Sequence, residues 1–325
     1  VDFTLGGTLA MPTLRGAATL AEASANVPAL GIRVRKVNLR ASGDGTRALR
    51  IDGSAASGPG ELAIDGTLAL HEDSAWDARL RASGQRVEVA NTPQAWVLAS
   101  PDLRLAARPR WIQLQGRIDI PEAKLKPKPP TQPVAPSSDV VMINAPDEAA
   151  DAGGRWAVES QVRISLGEKV AFDGFGLTGN ITGGLVAVDS PERITTARGE
   201  LRINDGEYEA YGRKLEIERG RLLFAGGPVD NPGIDARAVR RVENVTAGIA
   251  IGGTLKSPEL SLFSEPALSE SDTLSYLLFG RPLQSTSGAQ GRALASAATA
   301  LTTRVTRMTP SCSSTFTSAN TAACV

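Results

Sequence analysis

Apolar and polar residues alternate along most of the chain, a pattern typical of β-strands that bury one face. The alternation is clearest in residues 61–70, 111–120 and 162–172. In residues 214–224 it slips by one position near Gly220, and a slip beside glycine predicts a β-bulge. There is almost no helical periodicity before residue 268, so the sequence predicts a chain built mainly of strands.

Two further signals describe the predicted sheet. The pairs Asp44-Gly45, Asp52-Gly53 and Asp205-Gly206 are typical of hairpin turns between antiparallel strands. Glycine also recurs within the apolar rows, as at Gly66 and Gly116, where it allows bending and close approach of other material. We therefore expect the sheet to curl.

The periodicity becomes helical after Pro266. Ser269 followed by Asp272 resembles a capping box, and Gly280 with Pro282 forms a stop signal. Between them, three leucines share one helical face: Leu274, Leu277 and Leu278. Residues 292–305 have the spacing of a second helix. The sequence thus predicts one or two short C-terminal helices.

A proline-rich segment divides the predicted strands. Residues 121–154 contain seven prolines, which favours extended, solvated chain. The resulting expected organisation is a first β-trough segment at 1–123, a Pro-rich linker or surface excursion at 124–154, a second β domain at 155–265, a helical segment at 266–305 and a disordered tail at 306–325.

Composition excludes several classes of function. Lysine plus arginine and aspartate plus glutamate both number 35, and this balance argues against binding to nucleic acid. One histidine and two cysteines are too few for a His/Cys metal cluster, so we expect no metal, no cofactor and no enzymatic activity. Residues 174–179 match the G-x-G-x-x-G nucleotide motif. The residues that follow do not open a helix, so a glycine-rich strand bend is favoured there.

Arginines near the end of the strand region have two interpretations. They could form a rim that contacts phospholipid headgroups, or they could lie on a solvated strand face balanced by nearby glutamates. The second interpretation is favoured. The residues are Arg219, Arg221, Arg240 and Arg241.

A sheet with one apolar face must cover that face, either in a closed sandwich or as an open trough occupied by lipid. Aromatic residues make up only 4% of the chain, which favours the trough because sandwiches of this size use more large rings. The predicted fold class is all-β: a long, curled, predominantly antiparallel sheet forming an open, β-taco-like trough with one or two short C-terminal helices. The predicted groove lining consists of Ile64, Leu68, Ile112, Leu114, Ile118, Ile164, Leu166, Val170, Phe172, Leu201, Ile203, Leu215, Ile217, Leu222, Phe224, Ile249 and Ile251.

The helix at 271–280 has two possible roles in such a trough. It could cover the end of the groove and bury Leu274, Leu277 and Leu278, or it could cap an edge of the sheet. Both roles remain open at this point.

Three long stretches carry a resemblance to a known family: residues 165–185, 197–240 and 252–283. The second contains Tyr208, Ala210, Tyr211 and Gly212, followed by the sequence RGRLLFAGGPVDNP at 219–232. These stretches resemble the C-terminal domain of the TamB family, whose members are AsmA-like, bridge-type lipid transfer proteins.

The resemblance implies a periplasmic, non-enzymatic protein whose apolar β-groove conducts phospholipid toward the outer membrane. It also implies assistance in outer-membrane protein assembly, with a TamA-like barrel protein as partner. In the full-length protein an N-terminal helix, missing from this sequence, would anchor the chain in the inner membrane. The alternative is a structural docking module that binds a barrel protein by β-augmentation and carries no lipid. A β-solenoid adhesin would show more regular repeats than this chain has.

Overall fold

A computed structural model describes residues 2–8, 11–71, 75–128, 156–210 and 212–282 of the 325-residue chain. Its strands are β1 (Asp2–Thr8), β2 (Met11–Val27), β3 (Ile32–Asp44), β4 (Ala48–Ser57), β5 (Gly60–Leu70), β6 (Trp76–Gln85), β7 (Val87–Asn91), β8 (Ala95–Arg108), β9 (Trp111–Leu125), β10 (Ala157–Gly174), β11 (Leu177–Asp189), β12 (Thr196–Ala210), β13 (Arg213–Pro228), β14 (Gly233–Val242), β15 (Val245–Thr254) and β16 (Ser257–Glu265). A short 3₁₀ helix spans Pro28–Leu30, and one α-helix, α1, spans Glu270–Phe279.

All sixteen strands belong to one sheet, and their order in space follows their order in the chain. β7 is the exception, because it lies off the main path and pairs with β8, which also pairs with β6. Every pairing is antiparallel except that of β9 with β10, which is parallel. The sheet does not close on itself: β1 and β16 are its two ends. This open, mostly antiparallel sheet with a short C-terminal helix is the predicted fold class.

The predicted bulge near Gly220 is confirmed. The register between β13 and β14 shifts by one residue between Ile217 and Arg219, just before this glycine. As a result Ile217 and Leu222 of β13 lie on the same face of the sheet. They are an odd number of positions apart, which would put them on opposite faces of a regular strand.

The three Asp-Gly pairs have different outcomes. Asp44-Gly45 forms the predicted turn between β3 and β4, with φ of 96° at Gly45. Asp52-Gly53 and Asp205-Gly206 lie inside β4 and β12, so their prediction as turns is wrong.

Packing explains both exceptions. Gly53 lies between Leu39 and Ile64 of the neighbouring strands, and a Cβ on it would come within 3.0 Å of Leu39 Cδ1. Gly206 lies opposite Ile217, and a Cβ on Gly206 would come within 3.0 Å of the Ile217 Cβ. These glycines make room for large neighbouring side chains, and the hairpin signal of the Asp-Gly pair is overridden.

The parallel pairing of β9 with β10 joins the two predicted strand regions into a continuous sheet. Residues 129–155, which contain most of the predicted linker, lie outside the described part of the chain. The predicted second helix at 292–305 and the tail at 306–325 also lie outside it. The division into segments therefore stays a prediction.

The apolar face of the sheet as candidate functional site

The strand register aligns the apolar residues into rows that cross many strands. One row runs through Ile118, Ile164, Leu185, Gly199 and Phe224, which are successive partners on β9 to β13. Residues directly opposite each other on neighbouring strands point to the same side of a sheet. The row therefore forms a continuous apolar stripe perpendicular to the strands.

A parallel row lies beside this stripe: Ile120 is followed by Leu166, Gly183, Leu201 and Leu222 on β9 to β13. The apolar rows continue toward the β1 end of the sheet, where Leu105 of β8 pairs with Leu80 of β6 and Leu114 of β9. We call this side of the sheet, with all the predicted lining residues and their row partners, the apolar face.

The structure brings the predicted lining residues together on the apolar face. Val170 and Leu215 are buried, at 1% and 5% exposure, and the other predicted lining residues are half-buried. A sandwich would bury such residues beneath a second sheet. Over the described residues no second sheet covers the apolar face, and its side chains remain partly accessible.

Sequence reasoning missed part of this face. Its additional members are half-buried or exposed side chains that share rows with the predicted ones: Leu39, Ile51, Leu80, Leu103, Leu105, Leu185, Ile234 and Leu262. Most of them alternate with arginine, alanine or serine, and their strands show the period-two pattern less clearly. They are identified by the strand register, because each one lies directly opposite a residue of the apolar face on a neighbouring strand.

Helix α1 covers one end of the apolar face. Leu277, at 3% exposure, packs in a buried cluster with Leu215, Ala238 and Ala247 of β13, β14 and β15. Further side chains pack around this cluster: Tyr208, Ile217, Ile249, Leu262 and Tyr276. α1 thus lies on the sheet face, over three of the predicted lining residues, and contacts β14, β15 and the edge strand β16.

The predicted ends of α1 are confirmed. The backbone N–H of Asp272 donates to the Ser269 hydroxyl at 3.1 Å, and Gly280 ends the helix in the left-handed conformation with φ of 74°. Leu274 is buried like Leu277, while Leu278 is half-buried. Local sequence signals therefore fix the helix, and the apolar face of the sheet determines where it packs.

Two arginines bind the C-terminal turn of α1. Arg240 Nη1 donates to the carbonyl oxygens of Tyr276 and Leu277, at 3.2 and 2.6 Å. Arg213 Nε donates to the carbonyl of Leu278 at 3.1 Å. Partial burial lowers the pKa of Arg240, and the neighbouring charge of Arg213 lowers it further. Sequence reasoning grouped Arg240 with the surface arginines, although it follows Ala238 by two residues and so shares the apolar face.

The opposite face of the sheet carries ion pairs. Arg221 contacts Asp235 at 2.7 Å, Arg219 contacts the same carboxylate at 3.4 Å, and Arg241 contacts Glu218 at 2.6 Å. These three arginines match the favoured interpretation of a solvated, charge-balanced strand face. Such exposed pairs contribute at most about 1 kcal/mol each, so this face keeps the sheet soluble more than it stabilises it.

The described residues contain no arrangement that suggests chemistry at a metal or nucleotide. Gly174 ends β10 and Leu177 begins β11, so the G-x-G-x-x-G segment forms a hairpin turn and no helix follows it. No three His, Cys, Asp or Glu side chains in the described ranges are grouped so that they could hold a metal ion. The described helices include none long and apolar enough to span a membrane.

The fold and the site define a class: open, groove-forming β-sheet proteins that present one long apolar face. Comparison with known proteins identifies the family. The model of the TamB C-terminal domain matches residues 50–316, and the chain belongs to this family. It is similar to the translocation and assembly module subunit TamB of Haemophilus influenzae (strain ATCC 51907 / DSM 11121 / KW20 / Rd), with 28% identity over 305 residues. That alignment covers 86% of this chain, which spans about a quarter (23%) of the length of the relative.

Proposed function

We propose that this chain is the periplasmic part of a TamB-like protein, and that its apolar face forms a groove conducting phospholipid toward the outer membrane. The observation that carries the proposal is the set of half-buried apolar rows that cross the sheet without a covering protein layer over the described residues. Exposed apolar area of this extent calls for an apolar occupant. Acyl chains meet that need because they are long, flexible and apolar throughout.

The energetics of such a groove favour movement. Each acyl CH₂ removed from water contributes about 0.8 kcal/mol, and the contact is not directional. Successive strands offer nearly the same leucine, isoleucine and glycine surface along a row, as in the step from Ile164 on β10 to Leu185 on β11. A chain can therefore shift from one strand to the next along the row with little net change in free energy, while its headgroup stays in water at the open side.

Family membership supports the remaining parts of the proposal. A subunit of a translocation and assembly module has assembly partners, and we infer that a TamA-like outer-membrane barrel protein is one of them. We further infer a periplasmic location, with the full-length protein anchored to the inner membrane. Assistance in assembling outer-membrane proteins is compatible with the same groove, because it would also cover the apolar side of an unfolded strand.

The test is a comparison of two arginine substitutions on one strand. Ile164→Arg places a charge in the middle of an apolar row, whereas Gln161→Arg places the same side chain at an exposed position on the polar face of β10. Each protein is purified without detergent from a phospholipid-containing host, and bound lipid is quantified by mass spectrometry. We expect lipid with the native chain and with Gln161→Arg, and little with Ile164→Arg, while circular dichroism shows β structure in all three. A folded native chain free of lipid would contradict the proposal.

A second candidate function rests on the edge strand. In the described part of the chain, β16 (Ser257–Glu265) has a neighbour only on the β15 side, so its other edge can accept a strand from a partner. A photo-cross-linker at the exposed Ser261 should then capture a barrel protein in cells, whereas one at Ile164 should not. Capture of lipid at Ile164 with no protein adduct at Ser261 would favour the lipid groove instead.

A further inference from the structure

Arg213 and Arg240 lie on the apolar face, where arginine is costly. Arg240 is the direct partner of Ala247, which belongs to the buried cluster beneath α1. Arg213 precedes the buried Leu215 by two residues on β13 and so points to the same side. Both guanidinium groups reach the C-terminal turn of α1, which places two cations at the end of the apolar rows.

Within the described ranges, neither cation has an acidic partner. No carboxylate of the described residues lies within ion-pair distance of Arg213 or Arg240, and their recorded side-chain hydrogen bonds go to main-chain carbonyls. The polar face of the same strands is different: Arg219, Arg221 and Arg241 are each matched by a carboxylate. At this end of the described sheet the charges on the polar face are balanced, whereas the apolar face carries two arginines without a carboxylate.

Helix α1 compensates only part of this excess. The C-terminus of a helix carries about half a negative charge, whereas two guanidinium groups carry two positive charges. More than one unit of positive charge is left. Burial already lowers the pKa of Arg240, and the neighbouring cation Arg213 lowers it further. An anion with clustered oxygens would match this pair better than the three carbonyl oxygens that occupy it in the structure.

We propose that Arg213 and Arg240 form a binding site for the phosphate group of a phospholipid headgroup, and that the C-terminal carbonyls of α1 occupy this site when lipid is absent. The inference rests on the proposed lipid groove and adds to it a fixed position for the headgroup. Ile217 and Ile249, which pack under α1, would receive the acyl chains. Because the carbonyls of α1 occupy donors of both arginines and the helix packs over these side chains, helix and lipid exclude each other at this end of the sheet.

Short-chain, water-soluble probes separate the phosphate from the acyl chains. Isothermal titration of the full chain with dihexanoyl phosphatidic acid, dihexanoylglycerol and inorganic phosphate compares both parts together with each alone. We expect the phosphatidic acid to bind at least tenfold more tightly than either of the others. The double variant Arg213→Gln/Arg240→Gln should lose this advantage. Arg241→Gln, on the polar face of the same strand, should bind within twofold of the native chain.

A second variant tests competition by the helix. Leu277→Ala weakens the packing of α1 but keeps both arginines and the main-chain carbonyl that Arg240 contacts, so it should raise the affinity for dihexanoyl phosphatidic acid severalfold. If Leu277→Ala lowers the affinity instead, α1 is part of the site and the proposed exclusion is wrong. If the double arginine variant binds like the native chain, the phosphate site itself is wrong. Equal binding of inorganic phosphate and phosphatidic acid would assign the site to free phosphate and overturn the headgroup assignment.

Failure of this inference is distinguishable from failure of the proposed function. If dihexanoylglycerol binds and Ile164→Arg abolishes that binding, the apolar groove stands even when the arginines have no effect. If neither acyl-bearing probe binds the folded native chain, both the groove and the headgroup site are excluded together.

Discussion

Phe224 of β13 lies directly opposite Gly199 of β12, and on its other side this glycine faces Leu185 of β11. Gly199 has φ of 146°, and a Cβ on it would come within 2.2 Å of the carbonyl oxygen of Gly184. The apolar row can pass from β11 to β13 because a residue without a side chain lies between two large ones. This arrangement also lets neighbouring backbones approach closely.

Replacing Gly199 should destabilise the sheet. We expect Gly199→Ala to lower the free energy of unfolding by about 1–3 kcal/mol, since alanine would have to adopt a strained backbone conformation and displace its neighbour. The matched control is Gly227→Ala on β13, where a Cβ would meet nothing within 4 Å. Urea denaturation followed by circular dichroism measures both, and equal midpoints for the two variants would rule out this role of Gly199.

The packing of α1 on the apolar face predicts the effect of truncating its central leucine. Leu277→Ala removes a side chain that is 3% exposed, and loss of a buried leucine typically costs about 2–5 kcal/mol. We expect most of that loss to appear as undocking of α1, seen as faster hydrogen exchange of its amides. Leu268→Ala, at a residue that is 36% exposed and precedes the helix, serves as control and should leave the exchange of α1 unchanged.

The N-terminal cap of α1 gives an independent prediction. Ser269→Ala removes the hydroxyl that accepts from the Asp272 N–H, and the loss of such a cap costs about 1 kcal/mol. Ser269→Thr keeps the acceptor and should behave nearly like the native chain. Hydrogen exchange at the first turn of α1 distinguishes the two, and an Ala variant protected as well as the Thr variant would show that the cap contributes nothing.

The turns that join β13 to β14 and β15 to β16 are linked by a charge pair that should respond to pH. Lys256 Nζ contacts Asp230 Oδ2 at 2.5 Å, and this hydrogen bond holds the pKa of the Asp230 carboxyl below its usual range. A lowered carboxyl pKa stabilises the fold above the ordinary value of about 3.9, and the gain is lost as the pH falls through the lowered pKa. Asp230→Asn should therefore lower the urea midpoint at neutral pH, and the difference between the native chain and the variant should vanish at about pH 2.

Salt provides the control for that pair. Both side chains are exposed, so about 1 M sodium chloride should reduce the difference between native chain and Asp230→Asn at neutral pH. A difference that persists unchanged through acid and salt would mean that the asparagine acts through the turn geometry and not through the loss of charge.

The side-chain alternation predicted much of the fold, because a strand with one apolar face is specified residue by residue. The strands around Ile64, Ile164 and Ile217 show it directly, and their members lie on the same face in the structure. The helix was also predictable, since Ser269 and Gly280 are local signals for its two ends. These features depend on neighbours in sequence.

Features that depend on neighbours in space were harder to predict. The Asp-Gly pair at 205–206 reads as a turn, yet the strand continues because Gly206 packs against Ile217 of the next strand. Arg240 reads as a surface residue, but its pairing with Ala247 and its contacts with α1 show that it lies on the apolar face. The parallel pairing of β9 with β10 has no local signal, because the residues that meet there are separated by the segment at 129–155.

Apart from β7, the sheet adds its strands in chain order, so the number of strands sets the length of the sheet. Each hairpin inserted between two existing strands would lengthen the stack by about 10 Å, since neighbouring strands lie about 4.8 Å apart, and would leave the cross-section unchanged. The fifteen strands on the main path already stack to roughly 70 Å. The length of such a sheet can thus change in steps of one hairpin, without redesign of a core.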